Sequence, residues 1–268
     1  MTNNQDTLFQ PIAVFDAGIG SYSIVELLKK TYPNQDLIYL ADRNQFPYGQ
    51  KSIDELKDVM RKTIHYLEKW NPRLIIVASN VPTITILDDL KDEFDTEIIG
   101  VYPPVKEALE KSSTKQIGIL GVQSLIESDA LKEFIANEVS SGNVYQFNAS
   151  SLVELVEDGS FISDKYRTLI TVKNFMDDIL DQHEEIDIFT LSSTHLPWLY
   201  SYFKELYPHI MFIDPAQTVI EQAASFTSNG HGMIKTLVTE NENYTIEGFE
   251  SILEKLNIDL DIEKIEIN

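Results

Sequence analysis

Short apolar runs alternate along this chain with longer amphipathic stretches. The runs are of strand length and rich in Ile, Val and Leu, whereas the stretches between them repeat apolar residues at helical spacing. We expect strands at residues 11–16, 36–42, 74–78, 97–101, 116–121, 143–148, 187–191, 210–214, 234–240 and 261–267. We expect helices at residues 22–32, 52–70, 124–138, 163–184, 196–207, 216–226 and 246–256, and one that runs through Leu87. Regular alternation of strand and helix predicts an α/β fold with parallel sheets and helices on both faces.

The order of the elements predicts two pseudo-symmetric parallel-sheet α/β domains. The alternation restarts after Tyr102-Pro-Pro104, and a pair of prolines is typical of a domain crossing. The tail from residue 234 is too short for a domain of its own, so we expect it to complete the first domain. The predicted domains are residues 1–103 plus 213–268 and residues 104–212, and the polar residues 1–9 are expected to fray. Ligands of open parallel sheets bind at the carboxyl ends of strands, so we expect the site in the cleft between the domains.

Two of the predicted strands end in the same way. Residues 74–78 lead into Ser79 and Asn80, and residues 187–191 lead into Ser192-Ser-Thr-His195. A proline follows each polar group and breaks the extended chain. The chain therefore places hydroxyl groups at two strand ends, where a ligand can be held from two sides.

A glycine turn, Gly18-Ile-Gly20, connects the first strand to its helix. Backbone N–H groups at such a turn form a generic cradle for a carboxylate or a phosphate. The turn lacks the third glycine of a dinucleotide-binding fingerprint, so it does not predict a nucleotide site.

Composition excludes several classes of function. The chain of 268 residues carries 43 acidic and 21 basic residues, and its net charge of −22 argues against a nucleic-acid or anionic-membrane partner. No apolar run is long enough to span a membrane and no signal peptide is apparent, so a cytoplasmic location is expected. The absence of cysteine excludes disulfides, zinc ribbons and thiolate nucleophiles. No metal or organic cofactor is expected, and His183-Glu-Glu185 is interpreted as the solvated face of an acidic helix.

Several motifs, in this order, resemble the glutamate racemase family within the wider aspartate/glutamate racemase group. They are Phe15-Asp-Ala-Gly-Ile-Gly20, Phe46-Pro-Tyr-Gly-Gln50, Ala78-Ser-Asn-Val81, Leu152-Val-Glu-Leu-Val-Glu-Asp-Gly159 and Ser192-Ser-Thr-His195. The resemblance spans nearly the full length and implies two α/β domains and a possible homodimer. It also implies cofactor-independent inversion of an amino acid's α-carbon by two cysteines, one on each domain, which remove and return the α-proton on opposite faces.

The sequence departs from the family pattern at the two cysteines, which are Ser79 and Ser193 here. A thiol has a pKa of about 8.5 and a hydroxyl such as that of water about 15.7, which at about 1.36 kcal/mol per unit approaches 10 kcal/mol in forming the anionic base. The serine of the first motif is Ala17, the threonine after the first cysteine is Val81, and the loop serine is Gln50. The resemblance therefore implies a racemase-like cleft in which racemisation is lost or strongly impaired.

The resemblance also assigns roles to individual positions. The catalytic positions are Ser79, Ser193, Asp16, His195 and Glu157. The substrate-binding positions are Ala17, Pro47, Tyr48, Gly49, Gln50, Asn80, Val81 and Thr194. The residues alone leave other roles open, because Asp16, Asn80 and Thr194 are also suitable caps for backbone N–H groups, and Glu157 is equally suited to a solvated helix face.

Three hypotheses about function stay open from the sequence. The first is a cleft that binds a small acidic amino acid or another small carboxylate for binding or regulation. The second is a weakly active glutamate or aspartate racemase that uses serine bases. The third is a serine-based hydrolase or lyase of a small carboxylate on the same scaffold, in which a neighbouring base activates the serine.

Overall fold

A computed structural model gives the structure of residues 8–267. Residues 1–7, for which we expect fraying, and residue 268 lie outside the described residues. The strands are β1 Ile12–Asp16, β2 Leu37–Asp42, β3 Leu74–Val77, β4 Ile98–Gly100, β5 Gln116–Gly121, β6 Asn143–Asn148, β7 Ile188–Leu191, β8 Met211–Ile213, β9 Ile234–Thr239 and β10 Ile262–Lys264. Each strand predicted from the apolar runs is present, most of them shortened at their ends.

The strands form two separate parallel sheets. The first has the order β10-β9-β2-β1-β3-β4, and the second has the order β6-β5-β7-β8. All strand pairs in both sheets are parallel. The predicted α/β class with two parallel sheets is confirmed.

The last two strands belong to the first sheet. β9 pairs with β2 over its whole length, and β10 pairs with β9. The chain therefore leaves the first sheet after β4, builds the second sheet, and returns to extend the first. The domain limits at residues 103/104 and 212/213 stay a prediction.

Helices cover both sheets. They are α1 Tyr22–Thr31, α2 Ile53–Glu68, α3 Asn80–Pro82, α4 Asp88–Leu90, α5 Val105–Lys111, α6 Gln123–Ile126, α7 Asp129–Glu138, α8 Ser150–Glu157, α9 Ser160–Ser163, α10 Lys165–Leu180, α11 Tyr200–Leu206, α12 Ala216–Ala223 and α13 Ile246–Lys255. A π-helical turn, Thr83–Leu87, joins α3 to α4. In residues 8–267, no helix is both long and apolar enough to cross a bilayer.

The central strands have no solvated face, which explains their continuous apolar sequences. All residues of β1 and β3 are buried, and so are those of β2. Strands that are covered on both faces read as unbroken runs of Val, Ile and Leu rather than as an alternating pattern. The same property makes them easy to locate in the sequence.

Several helices differ from their predicted limits, and two of these differences bear on the sequence analysis. The helix expected at residues 124–138 is divided into α6 and α7, because Ser128 accepts a hydrogen bond from Leu131 N at 3.1 Å and so starts a new helix. The helix expected at residues 163–184 ends at Leu180. His183 lies in the turn beyond it, half-buried, with its ring 4.4 Å from the ring of Tyr145. The interpretation of His183 as part of a solvated helix face was therefore wrong.

Candidate functional site

The carboxyl ends of both sheets meet at one cavity of about 70 Å³. The residues that follow β1, β2 and β3 line it from the first sheet, and the residues that follow β5 and β7 line it from the second. Its lining consists of Asp16, Ala17, Phe46, Pro47, Tyr48, Gly49, Ser79, Asn80, Val81, Val122, Val153, Ser192, Ser193, Thr194 and His195. The cleft expected between two parallel sheets therefore exists in the structure.

Ser79 and Ser193 occupy equivalent places beyond their strands. In the first sheet, Ala78 N donates to Phe15 O at 2.8 Å and continues the pairing of β3 with β1 up to the residue before Ser79. In the second sheet, Ser192 N donates to Leu120 O at 2.8 Å and does the same for Ser193. Each serine thus follows the last sheet-like hydrogen bond of its strand, which fixes its backbone at the edge of the cavity.

A row of polar side chains extends from Ser193 to residues that lie behind the cavity lining. The Oγ of Ser193 lies 3.4 Å from Nδ1 of His195, and Nε2 of His195 lies 2.6 Å from Oε1 of Glu157. Oε2 of Glu157 accepts a hydrogen bond from the Arg43 guanidinium at 2.7 Å. The side chains of Arg43, Glu157 and His195 are all at least nine-tenths buried. When Nε2–H of a neutral His195 donates to Glu157, Nδ1 carries no proton and faces Ser193 as an acceptor.

The glycine turn after β1 holds this row in place. Ile19 N donates to Oε1 of Glu157 at 2.8 Å, so the N–H cradle predicted from the sequence binds a carboxylate of the protein itself. A Cβ atom on Gly18 would lie 2.5 Å from Oε1 of Glu157, and one on Gly20 would lie 2.6 Å from Nδ1 of His195. Both glycines are therefore required by close packing against the row.

Arg43 is surrounded by aromatic rings. Its guanidinium carbon lies 5.3 Å from the ring centroid of Phe46, 5.3 Å from that of Tyr244 and 5.5 Å from that of Phe249. Such faces stabilise a cation that has lost its water. Arg43 and the proton of His195 in turn stabilise the anionic form of Glu157. Burial alone would raise the pKa of Glu157, but the hydrogen bond from His195 and the charge of Arg43 outweigh burial and lower it to about 2.

Asp16 is the carboxylate on the other side of the cavity. Its side chain lies beside Ser79 and accepts a hydrogen bond from Oγ1 of Thr194 at 3.3 Å. Burial raises the pKa of Asp16 to about 6, against the opposing effect of His195. Asp16 thus joins the ends of the two sheets as well as lining the cavity.

Two further polar residues of the lining, Asn80 and Tyr48, differ in what they can offer a ligand. Asn80 donates from Nδ2 to Val101 O at 2.8 Å, and its buried Oδ1 has no hydrogen-bond partner in the described residues. Tyr48 donates its hydroxyl to Asp42 at 3.2 Å. Burial raises the pKa of Tyr48 well above its ordinary value, and the charge of Asp42 adds to this effect. Tyr48 therefore presents its ring to the cavity as a neutral phenol, and Asn80 keeps an unused acceptor.

The structure places most, but not all, of the predicted site residues on the cavity. Gln50 is exposed and does not line it. Glu157 lies behind His195, buried, which rules out the solvated alternative. The predicted residues that do line it are Asp16, Ala17, Pro47, Tyr48, Gly49, Ser79, Asn80, Val81, Ser193, Thr194 and His195.

The sequence assigned no role to five residues of the site, of which Phe46 and Ser192 lie within the motifs quoted above. Val122 follows β5 directly, and its position at a strand end is the signal that could have identified it. Val153 lies on α8, on the buried face of that helix. Arg43 carries a weaker signal, a charged residue between a strand and an aromatic loop, because its partner Glu157 is 114 positions away in the chain.

Two parallel α/β units whose strand ends line a common cavity define a two-domain α/β protein. No protein-family model matches the chain. It is 30% identical over 260 residues to the glutamate racemase of Persephonella marina, spanning 96% of this chain and 97% of that protein. It is also 30% identical over 262 residues to the glutamate racemase of Sulfurihydrogenibium sp., spanning 96% and 98% respectively. The chain belongs to the glutamate racemase family.

A solved structure of the family shows the same fold. Glutamate racemase from Escherichia coli, in complex with L-glutamate and the activator UDP-MurNAc-Ala, matches with a TM-score of 0.84 at 21% identity. The match covers 97% of this chain and 100% of that chain. The two-domain α/β fold therefore extends over nearly the whole protein.

Proposed function

We propose that this chain is a glutamate racemase-like protein that binds a small amino acid or another small carboxylate in its interdomain cleft and exchanges the α-proton slowly or not at all. The carrying observation is that Ser79 and Ser193 line the same cavity from the ends of two different sheets. Two groups on opposite walls are what removal and return of a proton on opposite faces of one carbon requires. The glutamate bound in the Escherichia coli relative supports an amino acid as the ligand class.

The hydroxyls limit the chemistry of this cleft. Forming an alkoxide at Ser193 requires a base, and Nδ1 of His195, at 3.4 Å, is the nearest acceptor in the row described above. Ser79 has Asp16 beside it. If neighbours such as these recover half of the roughly 10 kcal/mol that separates a hydroxyl from a thiol, about 5 kcal/mol remains, which corresponds to a factor of about 10³ to 10⁴ in rate.

The test is α-proton exchange in deuterated water, followed by NMR, with both enantiomers of glutamate, aspartate and alanine. We expect the native protein to exchange the α-proton of its ligand at least about 10³-fold more slowly than the variant Ser79→Cys/Ser193→Cys. The matched control is Ser140→Cys/Ser225→Cys, which places two thiols on exposed residues and should leave exchange unchanged.

Two results would count against this proposal. Native exchange as fast as that of the double-cysteine variant would show that the serines are competent bases. A double-cysteine variant that binds an amino acid without exchanging its α-proton would show that the missing thiols do not explain the slow exchange. The loss of the family's hydroxyl side chains at Ala17 and Val81 would then be the explanation to test.

The row Ser193, His195 and Glu157 favours a second candidate, a serine-based hydrolase or lyase of a small carboxylate. A histidine that is oriented by a carboxylate and faces a serine hydroxyl is the arrangement that activates serine in nucleophilic catalysis. Ser193 Oγ would attack an acyl carbon while its proton passes to Nδ1 of His195. The leaving group would then take that proton as it departs.

A fluorophosphonate probe distinguishes this candidate by intact-mass analysis. Attack of Ser193 Oγ on phosphorus expels fluoride and leaves one stable adduct, so the hydrolase candidate predicts labelling of the native protein and of Ser79→Ala but not of Ser193→Ala. An unlabelled native protein, or a label that survives Ser193→Ala, would remove the hydrolase from consideration.

A further inference from the structure

Two residues with hydrogen-bond acceptors, Asp16 and Asn80, line the first-sheet side of the cavity. Asp16 is 4% exposed and its pKa of about 6 leaves it mostly ionised at neutral pH. Asn80, also 4% exposed, uses its amide nitrogen on Val101 O and keeps Oδ1 without a partner in the described residues. A buried acceptor without a donor is costly, and a ligand that brings donors relieves the cost. An ammonium group carries three donors and a positive charge, so it matches both acceptors.

The rest of the lining is mostly apolar. Ala17, Val81, Val122 and Val153 contribute methyl groups from four different segments of the chain. No lysine or arginine belongs to the lining formed by residues 8–267. The buried Arg43 lies outside that lining and its charge is already matched by Glu157. A side-chain carboxylate placed against these methyl groups would lose its water without gaining a cation.

The size of the cavity points in the same direction. Its volume of about 70 Å³ corresponds to roughly five to seven buried waters, since one such water needs about 10–15 Å³. A short amino acid fits a space of this order better than one whose side chain adds two methylene groups and a carboxylate.

We propose that the cleft selects a zwitterionic α-amino acid with a short, uncharged side chain, of the size of alanine or 2-aminobutyrate, in preference to glutamate or aspartate. Its ammonium lies against Asp16 and Asn80 and replaces Thr194 as a donor to Asp16. The hydroxyls of Thr194 and Ser193 then turn to donate to its carboxylate, and its side chain packs on the valines. This inference rests on the proposed function, because it names the ligand of the same cleft.

Isothermal titration calorimetry with purified native protein at pH 7.5 tests the selection. We expect alanine or 2-aminobutyrate, in one or both enantiomers, to bind at least about tenfold more tightly than glutamate or aspartate. Propionate, which lacks the ammonium group, should bind at least about tenfold more weakly than alanine.

Variants test separately how the ammonium group is recognised and how the side chain is selected. Asp16→Asn should weaken alanine binding without weakening propionate binding, whereas Asp95→Asn, at an exposed position, should change neither. Ala17→Ser/Val81→Thr should raise glutamate affinity relative to alanine, because it returns hydroxyl donors to the apolar wall. Circular dichroism of each variant confirms that it is folded.

Each outcome bears on a different statement. Glutamate binding as tight as alanine binding would overturn the selection for short side chains and leave the proposed function standing. Propionate binding as tight as alanine binding would overturn the role of Asp16 and Asn80. Failure of every amino acid to bind a folded native protein would overturn the proposed amino-acid cleft itself.

Discussion

Asp16 ends β1 with 4% of its surface exposed and lies beside Ser79, Thr194 and His195. Burial raises its pKa from 3.8 to about 6, so the folded protein binds a proton there more tightly than the unfolded chain does. The stabilisation from that proton is complete below pH 3.8 and is lost as the pH rises through about 6. Asp16 therefore favours folding in mild acid and opposes it at neutral pH.

We predict that Asp16→Asn becomes more stable relative to the native protein as the pH rises from 4 to 7. The gain in the free energy of unfolding should approach about 3 kcal/mol, since the pKa shift amounts to roughly two units at about 1.36 kcal/mol each. Urea unfolding at a series of pH values measures the difference. Asp95→Asn, an exposed control, should give a flat difference, and an equally flat result for Asp16→Asn would contradict the prediction.

Single residues also mark the limit of prediction from the sequence. Ser79, Asn80, Thr194 and His195 were identifiable because each follows an apolar strand, and strand ends of parallel sheets gather at one edge. Arg43 was not, because its importance comes from a carboxylate far along the chain and from rings that only the folded protein assembles. Local sequence carries no record of such contacts.

The turn between β1 and α1 is the element that fits most tightly against the site. A Cβ atom on Gly20 would lie 2.6 Å from Nδ1 of His195 and 2.7 Å from its backbone nitrogen. The backbone cannot move aside as a flexible side chain can. The turn thus needs glycine because there is no room for a side chain. The sequence alone does not distinguish this requirement from a need for an unusual backbone conformation.

We predict that Gly20→Ala lowers the free energy of unfolding by about 1–3 kcal/mol, the usual cost of overpacking a close contact. The matched control is Gly248→Ala in α13, where an added Cβ approaches nothing closer than Thr245 Oγ1 at 3.4 Å. That substitution should instead stabilise the protein by about 0.5–1 kcal/mol, because alanine favours a helix. Urea unfolding of both variants checks the prediction, and a neutral Gly20→Ala would refute it.

Elements were predictable to the extent that their apolar periodicity was complete. The strands stood out as unbroken apolar runs because both of their faces are covered. The division between α6 and α7 was missed, because the cap formed by Ser128 interrupts an otherwise helical pattern without a glycine or proline. Helix α5 was missed because it begins directly after Pro104, which was interpreted only as a break.

At the scale of the whole molecule, the two sheets contribute to the site from opposite sides. Each sheet supplies a serine at a strand end, and residues from distant parts of the chain complete the wall between them. The fold class could be predicted from alternation alone, whereas the cavity's volume and its apolar wall depend on how two separately formed surfaces meet.

The pairing of β9 with β2 also sets an order of assembly on the ribosome. All four strands of the second sheet are synthesised before β9, so that sheet has its full set of strands while the first still lacks two of its six. Tyr244 and Phe249, which enclose Arg43, emerge later still. A nascent chain therefore carries both serines well before it carries Tyr244 and Phe249, and the site can be completed only near the end of synthesis.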